Sequence, residues 1–531
     1  MKIVTVILFM FASAVSYGQE ASDSSFVSRM LRDVEYMGEA SVNAGVGDHA
    51  PLWLHSNRYG LSSIEKNSGY LRGGLYRSTR ADSLYKWRHG YGVDVAIGAN
   101  YNSTLIIHQL YYDLDWKHGR LSIGAKERGM ELKNNQLSSG SQTLGINSRP
   151  IPQVRLELPD YWVVPYTKGW LQFKGHIGYG IMTDKNWQHS FTGGTKQYTD
   201  NMLYHSKAGY FRIYNKDYDY PLSFEAGIEM ACQFGGTTYN FPGKGGPTTV
   251  YSGKGLSSFF HALIPGGGDN YEKGSVYENT EGNHLGSYLL RLNYDNEYRN
   301  WRASLYFERF FEDQSGMFGV DYDGYGEGNS WDSHVSRKYL LYDFKDMLLG
   351  GEFVLKNGSW IRNVVLEYIY TKYQSGPIYH DHNKGVSDHI GGIDDYYNHY
   401  VYSGWQHWGE AIGNPLYYSP LYNEDGSISF KNNRFMAFHL GISGHPTNEL
   451  SYRFLCSWEE GLGTYRKPFT KKRHQLSLLA EATYVPTLPR FRGWSATLGI
   501  GFDSGSILGD NFGINLKVSK RGVLNKLGIR N

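Results

Sequence analysis

The feature that most restricts how this chain can fold is an alternation of apolar and polar residues that recurs along its length. From Gly493 to Asp503, every second residue is Trp, Ala, Leu, Ile or Phe, and the residues between them are Ser, Thr, Gly and Asp. The segment from Phe512 to Ser519 repeats the pattern. A period of two predicts β-strands with one apolar and one polar face. A soluble sandwich and a membrane barrel both contain such strands.

The number of these segments and the residues at their ends favour a membrane barrel. We count about 16 to 18 segments, each near the roughly 9–11 residues that a tilted membrane-spanning strand needs. Tyr and Trp fall at the ends of the apolar faces, as in the aromatic girdles of outer-membrane barrels. Closure also removes both edges of a large sheet. The sequence therefore predicts an all-β, transmembrane outer-membrane β-barrel of about 16–18 antiparallel strands, with long extracellular loops and a short N-terminal helix.

Composition excludes other classes. A mean hydropathy of −0.49 over 531 residues excludes a bundle of transmembrane helices, and 65 glycines with 16% aromatic residues fit a turn-rich β protein. The formal net charge is only +2, and no basic stripe stands out. Nucleic acid is therefore not an expected partner.

The first residues predict export. Lys2 precedes an apolar run from Ile3 to Ala14, and Ser16 and Gly18 supply small residues for cleavage before Gln19. The alternative is a buried N-terminal helix. We expect residues 1–18 to be a signal peptide, residues 19–37 a short amphipathic helix and residues 38–531 a single barrel domain. The location implied is the outer membrane of a Gram-negative bacterium, in contact with its lipids. The short helix could also dock on a periplasmic partner.

Five connections are longer than ordinary hairpin turns, at about residues 129–168, 182–205, 235–283, 312–336 and 374–430. Long ordered loops carry function or fold into the barrel mouth as a plug. The last of them is rich in rings, which offer apolar faces to sugars. The glycan-binding residues predicted there are Tyr396, Tyr397, Tyr400, Tyr402, Trp405, His407 and Trp408. The alternative is that these rings pack the loop onto itself.

Charged residues on the polar strand faces suggest a second function. A porin or saccharide channel would use them to set selectivity, and the candidates are Glu225, Glu229, Arg291, Glu308 and Arg453. A weak calcium site is conceivable at Asp321, Asp323 and Glu327, but their spacing departs from an EF-hand, and a solvated acidic loop is the alternative. We expect no cofactor and no other metal.

Catalytic motifs are missing. The sequence contains no G-x-S-x-G, H-E-x-x-H or P-loop, which predicts a protein that is not an enzyme. The alternative is a barrel enzyme acting on lipid or glycan through a histidine such as His108, His176 or His439. Cys232 and Cys456 lie on apolar faces, where small lipid-facing residues or a disulfide are both conceivable.

Seven stretches together resemble the capsule assembly protein Wzi family in its Bacteroidetes form. They are PLWLHSNRYG from Pro51, GYLRGGLYRS from Gly69, NSRPIPQVRLELPDYWVVP from Asn147, GNHLGSYLL from Gly282, GNPLYYSPLYN from Gly413, NRFMAFHLGISG from Asn433 and GTYRKP from Gly463. The resemblance implies a barrel of about 18 strands that binds exported capsular polysaccharide and holds it at the cell surface without catalysis. Capsular or other surface polysaccharide is the implied partner, and the capsule export machinery is a further candidate.

The end of the chain departs from that pattern. Outer-membrane barrels commonly end on an aromatic residue, whereas this chain continues past Val518 to Asn531. Recognition by the insertion machinery could therefore use an internal strand signal.

Overall fold

The computed structural model describes residues 26–218, 220–243, 245–265, 281–312, 320–321, 339–340, 345–374, 379–381, 389–391 and 394–524. The predicted signal peptide lies outside these residues.

Eighteen antiparallel strands form one closed barrel. Each strand pairs with its neighbours in sequence, and the first strand pairs with the last from Glu35–Val523 to Val46–Phe512, which closes the sheet. The predicted fold class is confirmed. The strands β1 to β18 are Glu35–Val46, Ser68–Arg77, Trp87–Ala99, Leu105–Trp116, Gly119–Ala125, Gln153–Val163, Leu171–Ile181, Leu203–Ile213, Leu222–Phe234, Asn283–Asn296, Trp301–Glu312, Met347–Leu355, Asn363–Tyr370, Phe435–Gly444, Leu450–Gly463, Pro468–Tyr484, Trp494–Gly505 and Asn511–Val523.

Shorter elements lie in the connections. In the described part of the chain there are four α-helices, and α1 to α4 are Phe26–Leu31, Leu52–His55, Lys185–Phe191 and Leu256–Leu263. The 3-10 helices are Thr79–Asp82, Pro415–Tyr417, Pro420–Tyr422 and Pro489–Phe491. The short strands are Tyr198–Asp200, Thr237–Gly243, Gly246–Tyr251, Val320–Asp321, Tyr339–Leu340, Tyr379–Asp381, His389–Gly391, Gln406–His407 and Glu410–Ala411. None of the helices in the described part of the chain has the length and apolar character needed to cross a bilayer.

The alternation in sequence becomes an apolar outer wall and a polar interior. Many outward side chains are large and apolar and yet remain exposed to the surroundings of the barrel; they include Val42, Leu71, Ile97, Leu156, Leu305, Leu366, Ile514 and Leu516. Near one rim, Trp87 stacks on Trp116 at 5.9 Å and Tyr294 on Trp301 at 5.3 Å. A continuous apolar band bordered by rings is the surface that lipid covers in outer-membrane barrels.

The two ends of the barrel differ in their connections. The terminal end, where β1 begins and β18 ends, carries short connections such as residues 117–118 and 297–300. The loop end carries the long ones, residues 47–67, 126–152, 182–202, 235–282, 313–346 and 371–434. One predicted loop, 129–168, was partly wrong because it contains β6, Gln153–Val163. Its pairing shifts register between Leu158 and Trp162, around Pro159, and this irregularity interrupts the period of two.

The helix α1 lies against the terminal end. Arg29 pairs with Asp82 at 3.0 Å, and the Tyr91 hydroxyl donates to the Met30 carbonyl at 3.0 Å. The following strand begins at Glu35, so residues 35–37 belong to the barrel wall. A docking role for this helix stays a prediction.

Helix α4 covers part of the outer wall and corrects the expectation for Cys232. Phe259 and Ala262 pack against Cys232 and Phe234 on the outward face of β9. Cys232 is fully buried under the helix and does not reach lipid, whereas Cys456 is partly exposed. Neither cysteine takes part in a disulfide, so the disulfide alternative was wrong.

Glycines on the last two strands make room for the turn formed by residues 51–58, here called the inner turn. A Cβ at Gly501 would lie 2.7 Å from Leu54 Cγ and 2.8 Å from Pro51 Cβ, and one at Gly513 would lie 2.9 Å from Pro51 Cδ. The absence of side chains at these glycines therefore allows α2 to pack directly against the backbone of the two strands. The turn also bonds to the wall, since the Leu52 amide donates to Asp503 at 3.0 Å.

Gly501→Ala should destabilise the barrel by roughly 1–3 kcal/mol, because the added methyl group overlaps Leu54 and Pro51. The measurement is the thermal midpoint of the folded band in detergent. Gly73→Ala is the matched control, since a Cβ at this strand glycine meets nothing within 4 Å. Equal midpoints for the two variants would contradict the close packing of the inner turn against Gly501.

Candidate functional site

The interior at the loop end is filled by the segment 131–143, here called the plug segment. Three carboxylates on successive strands β11, β12 and β13 hold it. Glu308 pairs with the buried Lys133, and Glu352 accepts from Asn134 at 2.8 Å. Glu367 accepts from the Ser138 hydroxyl at 2.6 Å and from the amide of the next residue at 2.8 Å. Because these groups are buried, the wall satisfies backbone and side-chain donors that water cannot reach.

Basic groups on flanking strands bind the carbonyls of the same segment. Arg291 donates to the Leu132 carbonyl at 2.9 Å, and Arg453 donates to the Gln136 carbonyl at 3.0 Å. The ring of His439 bonds to the Leu137 carbonyl at 2.8 Å. Carboxylates thus accept from the plug segment while cations and an imidazole donate to it, which fixes its register.

All five predicted interior charges face the lumen. Glu308, Arg291 and Arg453 bind the plug segment. Glu225 accepts from the Tyr161 hydroxyl at 2.5 Å, and Glu229 accepts from the Tyr210 hydroxyl at 2.6 Å. Their role in channel selectivity stays a prediction. The plug segment itself was not singled out from sequence, although its run of Ser, Gly, Gln and Thr was the available signal.

A second segment, residues 394–434, lies above the plug segment and is called the cap segment. Its centre is a cluster of rings: Tyr397 stacks on Tyr417 at 3.9 Å and meets Phe430 at 5.2 Å. Its edge is tied to the wall, since the Tyr397 amide donates to Glu312 at 2.6 Å and the Tyr396 hydroxyl donates to Asp346 at 2.9 Å. The cap segment is therefore a packed layer with its own apolar core.

The cap and plug segments are bonded to each other. The Trp405 indole donates to the Thr143 carbonyl at 3.0 Å, and the Tyr417 hydroxyl donates to the Gln142 side chain at 2.8 Å. The Asn414 amide group donates to the Gly140 carbonyl at 3.2 Å. Two layers thus close the loop end.

This packing corrects most of the predicted glycan site. Five of its residues are buried and inaccessible to a polymer: Tyr396, Tyr397, Tyr402, Trp405 and His407. The physical reason is the alternative considered above, packing of the loop onto itself. Tyr400 is 53% exposed and packs edge-on against Phe241 at 4.7 Å. Trp408 is half-buried and lies 4.5 Å from the Arg149 guanidinium. Glycan contact stays a prediction for Tyr400 and Trp408.

The inner turn joins the same assembly. The Trp53 indole donates to the Ser457 hydroxyl at 3.2 Å, and the Asn57 amide donates to the Asn147 side chain at 3.0 Å. His55 lies 2.5 Å from the Tyr422 hydroxyl. Three of the stretches that carried the family resemblance, beginning at residues 51, 147 and 413, therefore meet inside the barrel.

Glu410 is an ionisable residue of the cap segment, and its environment in the fold shifts its pKa. Burial raises its pKa to about 7, against hydrogen bonds from Ser419 and Asn147 and the charge of Arg149, which lower the pKa. The Ser419 hydroxyl donates to Oε2 at 2.9 Å, and Oε1 has no partner among the described residues. The protonated form is the one that this pocket favours.

The histidines proposed for an enzyme are in structural positions. His439 Nδ1 lies 2.7 Å from the Ser457 hydroxyl, but Ser457 is buried beneath Trp53 and no substrate can reach it. His176 lines an interior cavity described below. His108 lies 2.6 Å from Glu127.

One group among the described residues has the spacing of a metal site. Ligand atoms of Asp94, His108 and Glu127 lie within 4.8 Å of one another. The Arg72 guanidinium already donates to Asp94 at 2.9 Å and to Glu127 at 3.0 Å. It therefore neutralises the two carboxylates that a metal ion would need. For the calcium prediction, Asp321 lies in a short strand, and Asp323 and Glu327 lie outside the described residues.

Below the plug segment the lumen contains two adjoining cavities. One of about 310 Å³ lies under the plug segment and is lined by Arg128, Arg149, Arg155 and His176 among others. The other, of about 540 Å³, extends to Arg77 and Lys117 at the terminal end. Both are lined by Arg120, Lys126 and Pro159, so the two cavities adjoin at these residues.

No protein-family model and no curated protein sequence matches this chain. Among solved structures, it is similar to Wzi of Escherichia coli, an outer-membrane protein involved in group 1 capsule assembly and described as a carbohydrate-binding β-barrel. The TM-score is 0.52 at 13% identity, over 93% of this chain and 85% of that chain. Pseudomonas aeruginosa OccK5 and OprD each match at 9% identity, with TM-scores of 0.43 and 0.41, over 93% of this chain and 99% and 95% of theirs. The likeness to Wzi shows the fold, an outer-membrane barrel.

Glu308→Gln should loosen the plug segment, because it leaves the Lys133 ammonium buried without its carboxylate. We expect the free energy of unfolding to fall by about 3–5 kcal/mol. The expected result is new trypsin cleavage at Lys133 in the folded barrel. Adding Lys133→Met to Glu308→Gln removes the unpaired charge and should restore the thermal midpoint. Since Met removes the cleavage site, the midpoint is the comparison for the double variant, and a double variant no more stable than the single would contradict the pairing.

Stability should fall as pH rises from 5 to 8. Because the folded pKa of Glu410 lies above the value of an unfolded glutamate, its contribution is present at low pH and is lost through pH 7, by roughly 2–3 kcal/mol. Glu410→Gln should flatten this part of the profile, measured as thermal midpoint against pH. An unchanged slope in the variant would assign the pH dependence to other groups.

Proposed function

We propose that this protein is a non-catalytic capsule assembly barrel that binds exported polysaccharide and holds it at the surface of a Gram-negative outer membrane. The observation that carries the proposal is the closed loop end, where the plug and cap segments fill the lumen and bond to its wall. Among the described residues, these two segments occupy the lumen at the loop end, which supports binding at the outer loop surface over transport through the barrel. The fold it shares with a carbohydrate-binding barrel and the sequence resemblance support the same reading.

The orientation follows from the loop lengths. Outer-membrane barrels place short turns in the periplasm and long loops outside the cell. The apolar band then lies in lipid, and the cap segment faces the capsule. Many weak sugar contacts along one polymer add through effective concentration, so no deep sugar pocket is needed.

The surface proposed for contact contains the accessible rings of the loop end. The exposed Tyr400 forms an aromatic pair with the half-buried Phe241, and the Gln197 amide group donates to the Tyr400 carbonyl at 2.9 Å. Trp408 is the other ring, and its indole donates to the Thr183 hydroxyl at 3.3 Å. Flat rings beside carboxamides and hydroxyls can stack on sugar faces and bond their hydroxyl groups.

Deletion of the gene in an encapsulated host should move capsular polysaccharide from washed cells to the medium at constant total. Complementation with Tyr400→Ala plus Trp408→Ala should leave most polysaccharide in the medium, while Tyr218→Ala, an exposed ring at the terminal end, should restore attachment. Barrel amounts are matched by the heat-modified gel shift. Full attachment in the deletion strain would overturn the proposed function, and full attachment with the double variant would overturn the proposed surface.

A saccharide channel is the second candidate, because the two adjoining cavities lead from the terminal end to the underside of the plug. Conductance in planar bilayers separates the two functions. The proposed function predicts no steady open steps from the wild-type barrel and steps after removal of residues 131–143. Steady steps from the wild-type barrel would favour the channel.

A further inference from the structure

A row of aromatic rings crosses the outer wall near the loop end, on the four neighbouring strands β13 to β16. The ring centroids of Tyr368 and Phe438 are 5.3 Å apart, and those of Phe438 and Trp458 are 6.2 Å apart. Trp458 in turn stacks on His474 at 5.6 Å. Rings in this position mark the level at which the apolar band of an outer-membrane barrel meets the polar surface of the bilayer.

The next outward positions toward the loop end are charged. They are Lys372, Arg434, Glu460 and Lys472, here called the outer cluster, and each lies two or four residues beyond a ring of the row. Because a strand presents the same face at every second residue, these side chains share the lipid side of the wall with the rings. Pairing continues to this level, since the Leu462 amide donates to the Arg434 carbonyl at 2.8 Å.

Direct contacts bring the outer cluster together. The ammonium groups of Lys372 and Lys472 both donate to Oε1 of Glu460, at 2.5 Å and 3.1 Å. The Nε of Arg434 donates to the Lys372 carbonyl at 3.0 Å, and its guanidinium lies 3.5 Å from the centroid of the Tyr465 ring. Three cations from three chain segments therefore converge on one place at the rim of the barrel.

One carboxylate does not balance the outer cluster. Lys372, Lys472 and Arg434 carry three positive charges, and Glu460 supplies one negative charge. Arg434 forms no ion pair with the residues that the structure describes. The Lys472 side chain is 62% exposed, so the excess charge is accessible from outside the wall. Such a cluster attracts an anion that several donors can contact at once.

The position of the outer cluster favours the phosphate of a lipid headgroup as this anion. Ammonium and guanidinium groups donate charge-assisted hydrogen bonds to phosphate oxygens. The cluster borders the ring row, and the row borders the apolar band, so a ligand bound by its phosphate would rest its acyl chains on apolar side chains such as Leu366. A soluble acidic polymer would bring nothing to cover that adjoining apolar surface.

We propose that the outer cluster binds the phosphate of a lipid headgroup in the outer leaflet, with the acyl chains of that lipid on the adjoining apolar band. Lys372, Lys472 and Arg434 donate to the phosphate, while Glu460 holds the two lysines close together and competes with the phosphate for them. Basic clusters at the ends of membrane-spanning segments bind anionic headgroups in this way. Only the choice of leaflet rests on the orientation argued for the proposed function.

Native mass spectrometry of the purified full barrel in dodecyl maltoside micelles tests the site. The probes are monophosphoryl lipid A and the same lipid from which the phosphate has been removed. The phosphorylated form should bind about tenfold more tightly, and added salt should reduce the difference. Equal affinity for the two forms would overturn the proposal, whatever the capsule experiment shows.

Substitutions on the two faces of β16 separate the cluster from a general effect of charge. Lys372→Gln plus Lys472→Gln should abolish most of the preference for the phosphorylated form. Lys471→Gln plus Arg473→Gln, the matched control, removes the same charge from the opposite alternation of the strand and should keep the preference. The heat-modified gel shift verifies folding. Equal preference in the two folded double variants would overturn the assignment.

Glu460→Gln gives a change of opposite sign. It removes the carboxylate that competes with the phosphate, so the folded variant should bind the phosphorylated lipid several-fold more tightly than the wild type does. A purely structural cluster, held together by Glu460, would gain nothing from this substitution. Unchanged or weaker binding by the folded variant would overturn the proposed competition and the site with it.

Two soluble anions test the source of the phosphate and the class of the ligand. Inorganic phosphate at the concentration of the lipid should displace little of it, because it lacks acyl chains. Alginate, an acidic polysaccharide, should likewise fail to displace the lipid. Displacement by inorganic phosphate would overturn the lipid as the source. Displacement by alginate that is lost in Lys372→Gln plus Lys472→Gln would assign the cluster to an acidic polymer instead.

Discussion

The buried pair of Lys133 with Glu308 is the interaction on which the interior arrangement depends. Two opposite charges withdrawn from water are stable only together, and each is held by further hydrogen bonds, such as the one from the Gln142 amide to Glu308 at 2.9 Å. The pair fixes the plug segment against β11. The ordered plug segment then provides the surface against which the ring cluster of the cap segment packs. Closure of the loop end thus combines this buried ion pair with the wall contacts of the plug segment and the packing of the cap segment on it.

The fold could be predicted because lipid outside and polar groups inside impose the same period of two on nearly every strand. The strand Gln153–Val163 was missed where its pairing shifts register around Pro159, since a bulge reverses the faces of the residues after it. At this point, local backbone geometry decides which side chains face lipid and which face the lumen. Composition does not record that geometry, so the strand was not predicted.

The interior could be predicted only in part. The polar strand faces identified Glu308 and Arg453 as interior residues, but the partner of Glu308 lies 175 positions away, and no local pattern marks that pairing. The aromatic loop failed as a glycan site for a related reason. Tyr397 and Trp405 have the composition of a sugar-binding surface, and only their wall contacts, such as Tyr397 with Glu312, turn them inward.

The position of the plug segment in the chain constrains the order of assembly. It connects β5 to β6, yet its anchors lie on β10 to β15, which are made later. The seam between β1 and β18 can close only after the last strand has been delivered. We therefore expect the lumen to be filled while the sheet is still an open, curved ribbon, with the later strands wrapping around a core already in place. The shape of the finished barrel would then depend on the segments inside it. A chain interrupted before β15 would lack part of the wall that holds these segments in place.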